Sequence, residues 1–322
     1  MIVLLAALSG PAHALDLDGR ELPVYFATNR TWHSGPKPGF DHKDAESLSW
    51  GRVSVLESAF RLPGQDKVLL PHQPERWGAD SVLQVVAARD LPVLVVVHGY
   101  NTNWTWAARE AAQLALDLEA SGAPVVPVLF SWPSGGLVRY VSDENAAYRS
   151  VVRFESFLRP LIDAVPEGQV HIVSHSMGAR VVAAAIDEMW GGTKPPNRQL
   201  GQVILASADI DTLEFRERYL DSLLAAAERT TLYVSSRDRA LGASGALHGG
   251  YSRLGLTGLD SPPPALDVVD TSALDRGYTR HATFRQSEVA LRDLAGVLSG
   301  TAVSERDLLA DGGQWTFLPG GR

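Results

Sequence analysis

The sequence predicts an α/β protein, a mostly parallel central sheet with helices on both faces, and three observations predict it. Runs rich in Val, Leu and Ile recur at 93–97, 125–130, 170–173 and 203–205. A run that stays apolar on successive residues suits a strand buried on both faces, as in a parallel sheet. Segments with apolar groups at helical spacing separate these runs, so strands and helices alternate. The runs also stop abruptly in small or polar residues, and function in such sheets concentrates just beyond the C-terminal ends of the strands.

The elements follow in order. Met1 to Leu8 is apolar and is followed by Ser9-Gly10-Pro11 and Ala12-His13-Ala14. This matches the apolar region and small-residue cleavage site of a secretory signal, although the basic leading residues are missing. Residues 1–14 therefore read as a signal peptide and the protein as exported, periplasmic or secreted, with a cytoplasmic location as the alternative. The run is too short to span a bilayer, so no stable membrane insertion is expected. The folded domain is expected over 22–299. Pro23 to Asn29 is an early strand, 31–45 a loop, and Trp50 to Leu56 an outer strand with one solvated face. Residues 57–80 read as irregular, and Ser81 to Arg89 suits either helix or strand. Pro92 to Val97 is a buried strand ending at His98-Gly99, and a helix follows over 103–120. Val125 to Phe130 is a strand ending in Ser131-Trp132-Pro133, followed by a helix from Asp143 to Ala164. After 170–182 come a Gly/Pro-rich loop over 191–198, a strand at Gln202 to Ala206 and a helix over 213–228. Thr230 to Ser236 is a strand, 241–265 a long loop, and Leu266 to Asp270 the last strand. Ser287 to Leu298 closes the domain as a helix, and 300–322 reads as a loose C-terminal tail.

Composition narrows the function. The chain has 322 residues, 45% of them hydrophobic, enough for one large core. Its formal charge is −8 with no basic cluster, which argues against nucleic-acid binding. There are no cysteines, so disulfides, thiolate catalysis and cysteine zinc sites are excluded. No metal-ligand cluster and no dinucleotide glycine motif is evident, and no cofactor is expected. The oligomeric state is not readable.

The chemistry centres on Val170-His171-Ile172-Val173-Ser174-His175-Ser176-Met177-Gly178. A buried strand gives way to an Ala-rich helix, and Ser176 sits on the only turn available between them. This is the layout of a nucleophile elbow, in which a strained strand-to-helix turn exposes a serine hydroxyl. The cramped backbone demands small residues two before and two after the nucleophile, here Ser174 and Gly178. Ser174 departs from the usual glycine. A serine hydroxyl needs a base, and the base needs a third group to hold its tautomer. In α/β-hydrolases these follow in the order Ser, Asp or Glu, His. Ser176, Asp238 and His281 supply that order, each at a strand end or beyond it. Asp209 and Asp211 are rivals to Asp238, either of which could instead cap a helix. His248 is the rival to His281 but precedes the last strand, and His175 should simply pack beside the elbow. The oxyanion hole is expected from the backbone N–H groups of Met177 and Tyr100, with Gly99 allowing close approach and His98 holding the loop.

Val24-Tyr25-Phe26-Ala27-Thr28-Asn29-Arg30, His98-Gly99-Tyr100-Asn101, Phe130-Ser131-Trp132-Pro133-Ser134, His175-Ser176-Met177-Gly178 and Val234-Ser235-Ser236-Arg237-Asp238 together resemble a bacterial esterase-like family of α/β-hydrolases. Its physiological role is mostly unassigned. The resemblance runs from Pro23 to Leu298 and implies the α/β-hydrolase fold with Ser176, Asp238 and His281 as the triad. A glycine would be expected before the histidine, where this chain has Arg280.

The expected activity is hydrolysis of a small-molecule carboxylic ester through an acyl-enzyme. Thioester, amide or polyester hydrolysis uses the same machinery. A dehalogenase would want a carboxylate in place of Ser176, and a non-catalytic binding protein of this fold is the alternative from another class. Trp132 and Asn101 are candidates for the substrate pocket, and 241–265 for a lid. No large cap domain is expected between Phe130 and the elbow.

Overall fold

A computed structural model of the protein describes residues 19–58, 69–136, 139–193, 195, 200–274 and 278–318, and in it the apolar runs pair into one sheet. Its strands are β1 (Arg20–His33), β2 (Gly39–Glu57), β3 (Leu69–Pro71), β4 (Glu75–Trp77), β5 (Val93–Val97), β6 (Val126–Ser131), β7 (Val170–His175), β8 (Leu200–Ala206), β9 (Ala227–Val234), β10 (Leu266–Asp270), β11 (Leu308–Asp311) and β12 (Gln314–Phe317). The order is β11-β12-β10-β9-β8-β7-β5-β6-β1-β2-β3, with β4 also on β2. From β12 through to β1 neighbours run parallel. Antiparallel hairpins finish both edges.

Each central strand buries both faces. Leu94, Val96, Leu129, Val173 and Ile204 face the helix α2 (Trp104–Ala120) and the helix Glu288–Leu298. Val93, Val95, Val97, Phe130 and Ile172 face α1 (Ala79–Ala87), α3 (Tyr140–Ala164) and α4 (Gly178–Trp190). Alternation along a continuous Val run thus feeds two separate cores, as period-two side chains must. Asn103 starts α2 by accepting a hydrogen bond from the Trp106 N–H at 2.9 Å.

Register decides where the site stands. Val97 lies opposite Ser174 and Phe130, and His175 opposite Ala206. The chain therefore leaves β5, β6, β7 and β8 at one level, with His98, Ser131, Ser176 and Ser207 beside one another. The strand order reverses at β5, between β7 and β6, which opens a crevice at that end of the sheet.

The structure corrects several expectations. Residues 31–45 are not a loop, because β1 and β2 continue as a twisted hairpin to His33 and Gly39. Polar residues on a solvated edge ribbon look like loop in sequence. The 241–265 segment holds the helices Arg239–Leu247 and Leu254–Thr257. Its glycines and serines disguise a helix that begins on an aspartate cap. Residues 308–317 are not a loose tail. They form a hairpin that adds β12 beside β10, with a turn at Gly312 and Gly313, both at positive φ. Phe317 is 1% exposed and belongs to the core. Residues 1–14 lie outside those described. Among the described residues, no helix is long and apolar enough to cross a membrane, and no separate cap intervenes between β6 and β7.

Candidate active site

Ser176 stands between the end of β7 and the start of α4 with φ at 54°, in the left-handed region. Such a backbone costs a non-glycine residue about 1–3 kcal/mol and persists only where its surroundings impose it. They do so here. The Ser176 N–H donates to Ala206 O at 3.0 Å, and its carbonyl accepts from the N–H groups of Ala179 and Asp209, both at 3.1 Å. The small neighbours are explained by contact with the β5 loop. A Cβ on Gly178 would lie 2.4 Å from His98 O, and one on Gly99 would lie 2.9 Å from Ser176 Cβ. Ser174 is tolerated because it is strand, not turn. It is fully buried, and its hydroxyl donates to Ile204 O at 3.3 Å.

Asp238 and His281 meet directly. The imidazole Nδ1 lies 2.6 Å from Asp238 Oδ2. A carboxylate accepts, so Nδ1 carries the proton and Nε2 is left with the lone pair a general base needs. The other carboxylate oxygen, Oδ1, caps the helix Arg239–Leu247 by accepting from Ala240 and Leu241 N–H, both at 3.0 Å. One side chain thus starts a helix and orients the His281 ring, and it is fully buried while His281 keeps 17% of its side chain exposed. Arg280 takes φ 55°, the conformation for which glycine would be expected before this histidine.

His175 brings this pair to the elbow. Its Nε2 donates to the His281 carbonyl at 2.8 Å, and the two rings lie 4.6 Å apart. Burial and the neighbouring His281 push its imidazole well below the ordinary value, so it stays neutral. The rivals are occupied elsewhere. Asp211 caps the next helical segment through the N–H groups of Leu213 and Glu214. Asp209 takes hydrogen bonds from Tyr140 and Ser244. His248 sits on Ser244 O and Glu144.

The loop after β5 is held by a group that sequence reasoning registered only as part of a motif. Arg30 is 1% exposed, and its guanidinium reaches Ser131 Oγ at 2.8 Å, Thr102 O at 2.7 Å, Asp41 O at 3.1 Å and Ser134 O at 3.2 Å. Burial pushes its pKa down to about 9. It also lies 3.3 Å from His98 Nε2, while His98 Nδ1 donates to Gly99 O at 2.9 Å. Burial and the Arg30 charge push the His98 imidazole down to about 3, so it is neutral and structural. Trp132 is not a pocket wall. It is fully buried, stacks on His98 at 5.2 Å and donates through Nε1 to His98 O at 2.7 Å. Tyr100 and Asn101 follow on the same loop, Asn101 exposed at φ 57° and Tyr100 half-buried with its ring 5.2 Å from Tyr140. Met177 opens α4, where helix N–H groups lack intrahelical partners. Among the described residues, no group of three His, Asp or Glu could hold a metal ion.

A parallel sheet with a strained serine between its central strand and the following helix is the architecture of the alpha/beta hydrolases. Within them the chain belongs to the family described as alpha/beta hydrolase of unknown function (DUF900), whose model matches residues 80–279. That span includes Ser176 and Asp238 and stops just short of His281. No curated protein sequence matches the chain. Among solved structures it is similar to a 2,6-dihydroxy-pseudo-oxynicotine hydrolase, at 11% identity and a TM-score of 0.35 over 85% of this chain and 68% of that one. It is also similar to a hyperthermophilic esterase from the archaeon Pyrobaculum calidifontis, at 13% identity and a TM-score of 0.37 over 88% of this chain and 84% of that one. A third is an esterase/lipase from an uncultured bacterium, at 12% identity and a TM-score of 0.31 over 78% of this chain and 81% of that one. The fold assignment rests on the family match and on the sheet itself.

Proposed function

We propose that this protein is a serine hydrolase that cleaves small carboxylic esters through an acyl-enzyme. The observation that carries the reading is the 2.6 Å contact of His281 Nδ1 with Asp238 in a loop tied by His175 to the elbow. That contact leaves Nε2 as the base, and the elbow holds Ser176 as the nucleophile. Ser176 loses its proton to His281 and attacks the ester carbonyl. The N–H groups of Met177 and Tyr100 receive the oxyanion. His281 then protonates the leaving alcohol, and the same base activates water to release the acid.

The test is hydrolysis of p-nitrophenyl esters over a range of acyl lengths, together with labelling by a fluorophosphonate. Ser176→Ala is expected to lose both turnover and label, and Asp238→Asn to lower kcat by about 10⁴ through the wrong tautomer of His281. Undiminished turnover in Ser176→Ala, or no adduct at Ser176 in the natural protein, would overturn the reading.

A further inference from the structure

We infer that Asp209 is a positioning residue for this site, holding the nucleophile elbow, the oxyanion loop and the acid-bearing helix in mutual register. The inference rests on the proposed hydrolase reading for its catalytic consequence but not for its geometry. Asp209 follows β8 at the level of Ser176. Its backbone N–H donates to Ser176 O at 3.1 Å, and its carbonyl accepts from Arg180 Nε on α4. The first contact falls on the turn that strains Ser176, and the second on the helix that the turn opens. Its carboxylate reaches the other two parts of the site. Oδ2 accepts from the Tyr140 hydroxyl at 2.5 Å, and the Tyr140 ring packs edge-on against Tyr100 in the oxyanion loop. Oδ1 accepts from Ser244 at 2.6 Å, and Ser244 lies in the helix that Asp238 caps.

The carboxylate is 2% exposed and is kept charged by two arginines, Arg180 and Arg253, each 3.6 Å from Oδ1. Burial opposes that charge, but Arg180, the two hydroxyls and Arg253 outweigh it and hold the carboxyl below its ordinary value. Burial and the Asp209 charge push the Tyr140 phenol above its ordinary value, so it remains a donor. Arg253 is itself 2% exposed, two of its nitrogens have no hydrogen-bond partner among the described residues, and Asp209 is its ion-pair partner there. Both carboxylate oxygens of Asp209 accept buried hydrogen bonds, and these tie the elements they join to one arrangement.

The network predicts an effect separable from folding. Asp209→Asn leaves Arg253 buried without a counter-charge and can unfold the protein, so the decisive variant is Tyr140→Phe. It deletes one hydroxyl and keeps the ring against Tyr100. With a p-nitrophenyl ester, kcat should fall about tenfold to a hundredfold, because a catalytic donor displaced by about 1 Å costs that much. KM and the acid limb of the pH profile should stay in place, and the melting temperature should fall only modestly, by the loss of one buried hydrogen bond. Amide exchange over 98–102 should quicken while the central strands keep their protection. Ser244→Ala should lower kcat in the same manner, and Ser244→Thr should restore it. Natural kcat with unchanged exchange over 98–102 in Tyr140→Phe would overturn the inference. So would a folded Asp209→Asn whose kcat falls by as much as that of Asp238→Asn, about 10⁴, because Asp209 would then serve His281 directly. If the natural protein shows no Ser176-dependent turnover, the hydrolase reading fails by itself. Exchange over 98–102 in Tyr140→Phe then decides the positioning role, quickened exchange supporting it and unchanged exchange overturning it.

Discussion

Replacing Gly99 by alanine probes the close approach of the loop after β5 to the elbow. The added methyl would stand 2.9 Å from Ser176 Cβ and 3.1 Å from both the carbonyl and the Nδ1 of His175. Carbon pairs rest at about 3.5–4.0 Å, so the loop and the elbow must separate by roughly 0.6–1 Å. Neither side yields easily. The elbow backbone is fixed by Ala206, Ala179 and Asp209, and the loop by the Arg30 guanidinium. Overpacking of this kind costs about 1–3 kcal/mol of stability. On the proposed mechanism the larger effect falls on catalysis, because the Tyr100 N–H that is proposed to receive the oxyanion moves away. A displacement of about 1 Å lowers the rate about a hundredfold. That corresponds to about 2.7 kcal/mol of transition-state stabilisation. The assay is steady-state hydrolysis of a p-nitrophenyl ester beside a thermal melt. The reasoning requires Gly99→Ala to stay folded with kcat down about a hundredfold. Natural kcat in the folded variant would refute the placement of the oxyanion loop.

The remaining predictions concern stability. His98 and His171 are pushed by burial to about 3 and about 4, below the ordinary value of 6.5, with Arg30 adding to the shift at His98. The unfolded chain therefore binds more protons below pH 6.5, so their stabilising contribution is complete above that pH. It is lost at up to about 1.4 kcal/mol per pH unit per group as the pH falls toward the folded values. Melts between pH 7 and 4 should show this slope, and His171→Asn should flatten part of it. The Asn carbonyl replaces the Nδ1 that accepts from the Gln202 N–H at 2.8 Å, without the proton linkage. A flat profile in the natural protein would refute the assignment. Phe317→Ala should destabilise by about 3–5 kcal/mol, the cost of a cavity at a buried aromatic. Unchanged melting in that variant would mean the C-terminal hairpin contributes nothing.

Arg280 illustrates how a local departure is accommodated. The resemblance leads one to expect glycine there, and the backbone keeps the conformation that glycine would favour, at φ 55°. The constraint comes from its neighbour, since His281 is held at its ring by Asp238 and at its carbonyl by His175. Asn101 shows the same economy with a residue that tolerates the left-handed region more readily.

What the sequence determined by itself was whatever depends on neighbours in the chain. Val93 to Val97 could only be a strand buried on both faces, and Val170 to Ile186 could only be strand, turn and helix with Ser176 at the turn. Those readings rest on period-two and period-3.6 spacing and on the bulk of one or two adjacent residues, which are local properties. Chain order alone also picked out Asp238 and His281, and the structure brings those two into contact. The tertiary structure decided whatever depends on register between distant segments. Arg30 reaches Thr102, 72 residues away, and Asp209 reaches Ser244, 35 residues away. Nothing in the composition of residues 27–30 or 207–211 announces a buried hub. Trp132 at a strand end suits a pocket wall and packing under the loop equally well in sequence, and only the level pairing of β5 and β6 turns it onto His98. Residues 308–317 looked like a tail because four-residue strands carry too little pattern. They become sheet only because β10 presents an open edge for β12 to pair with.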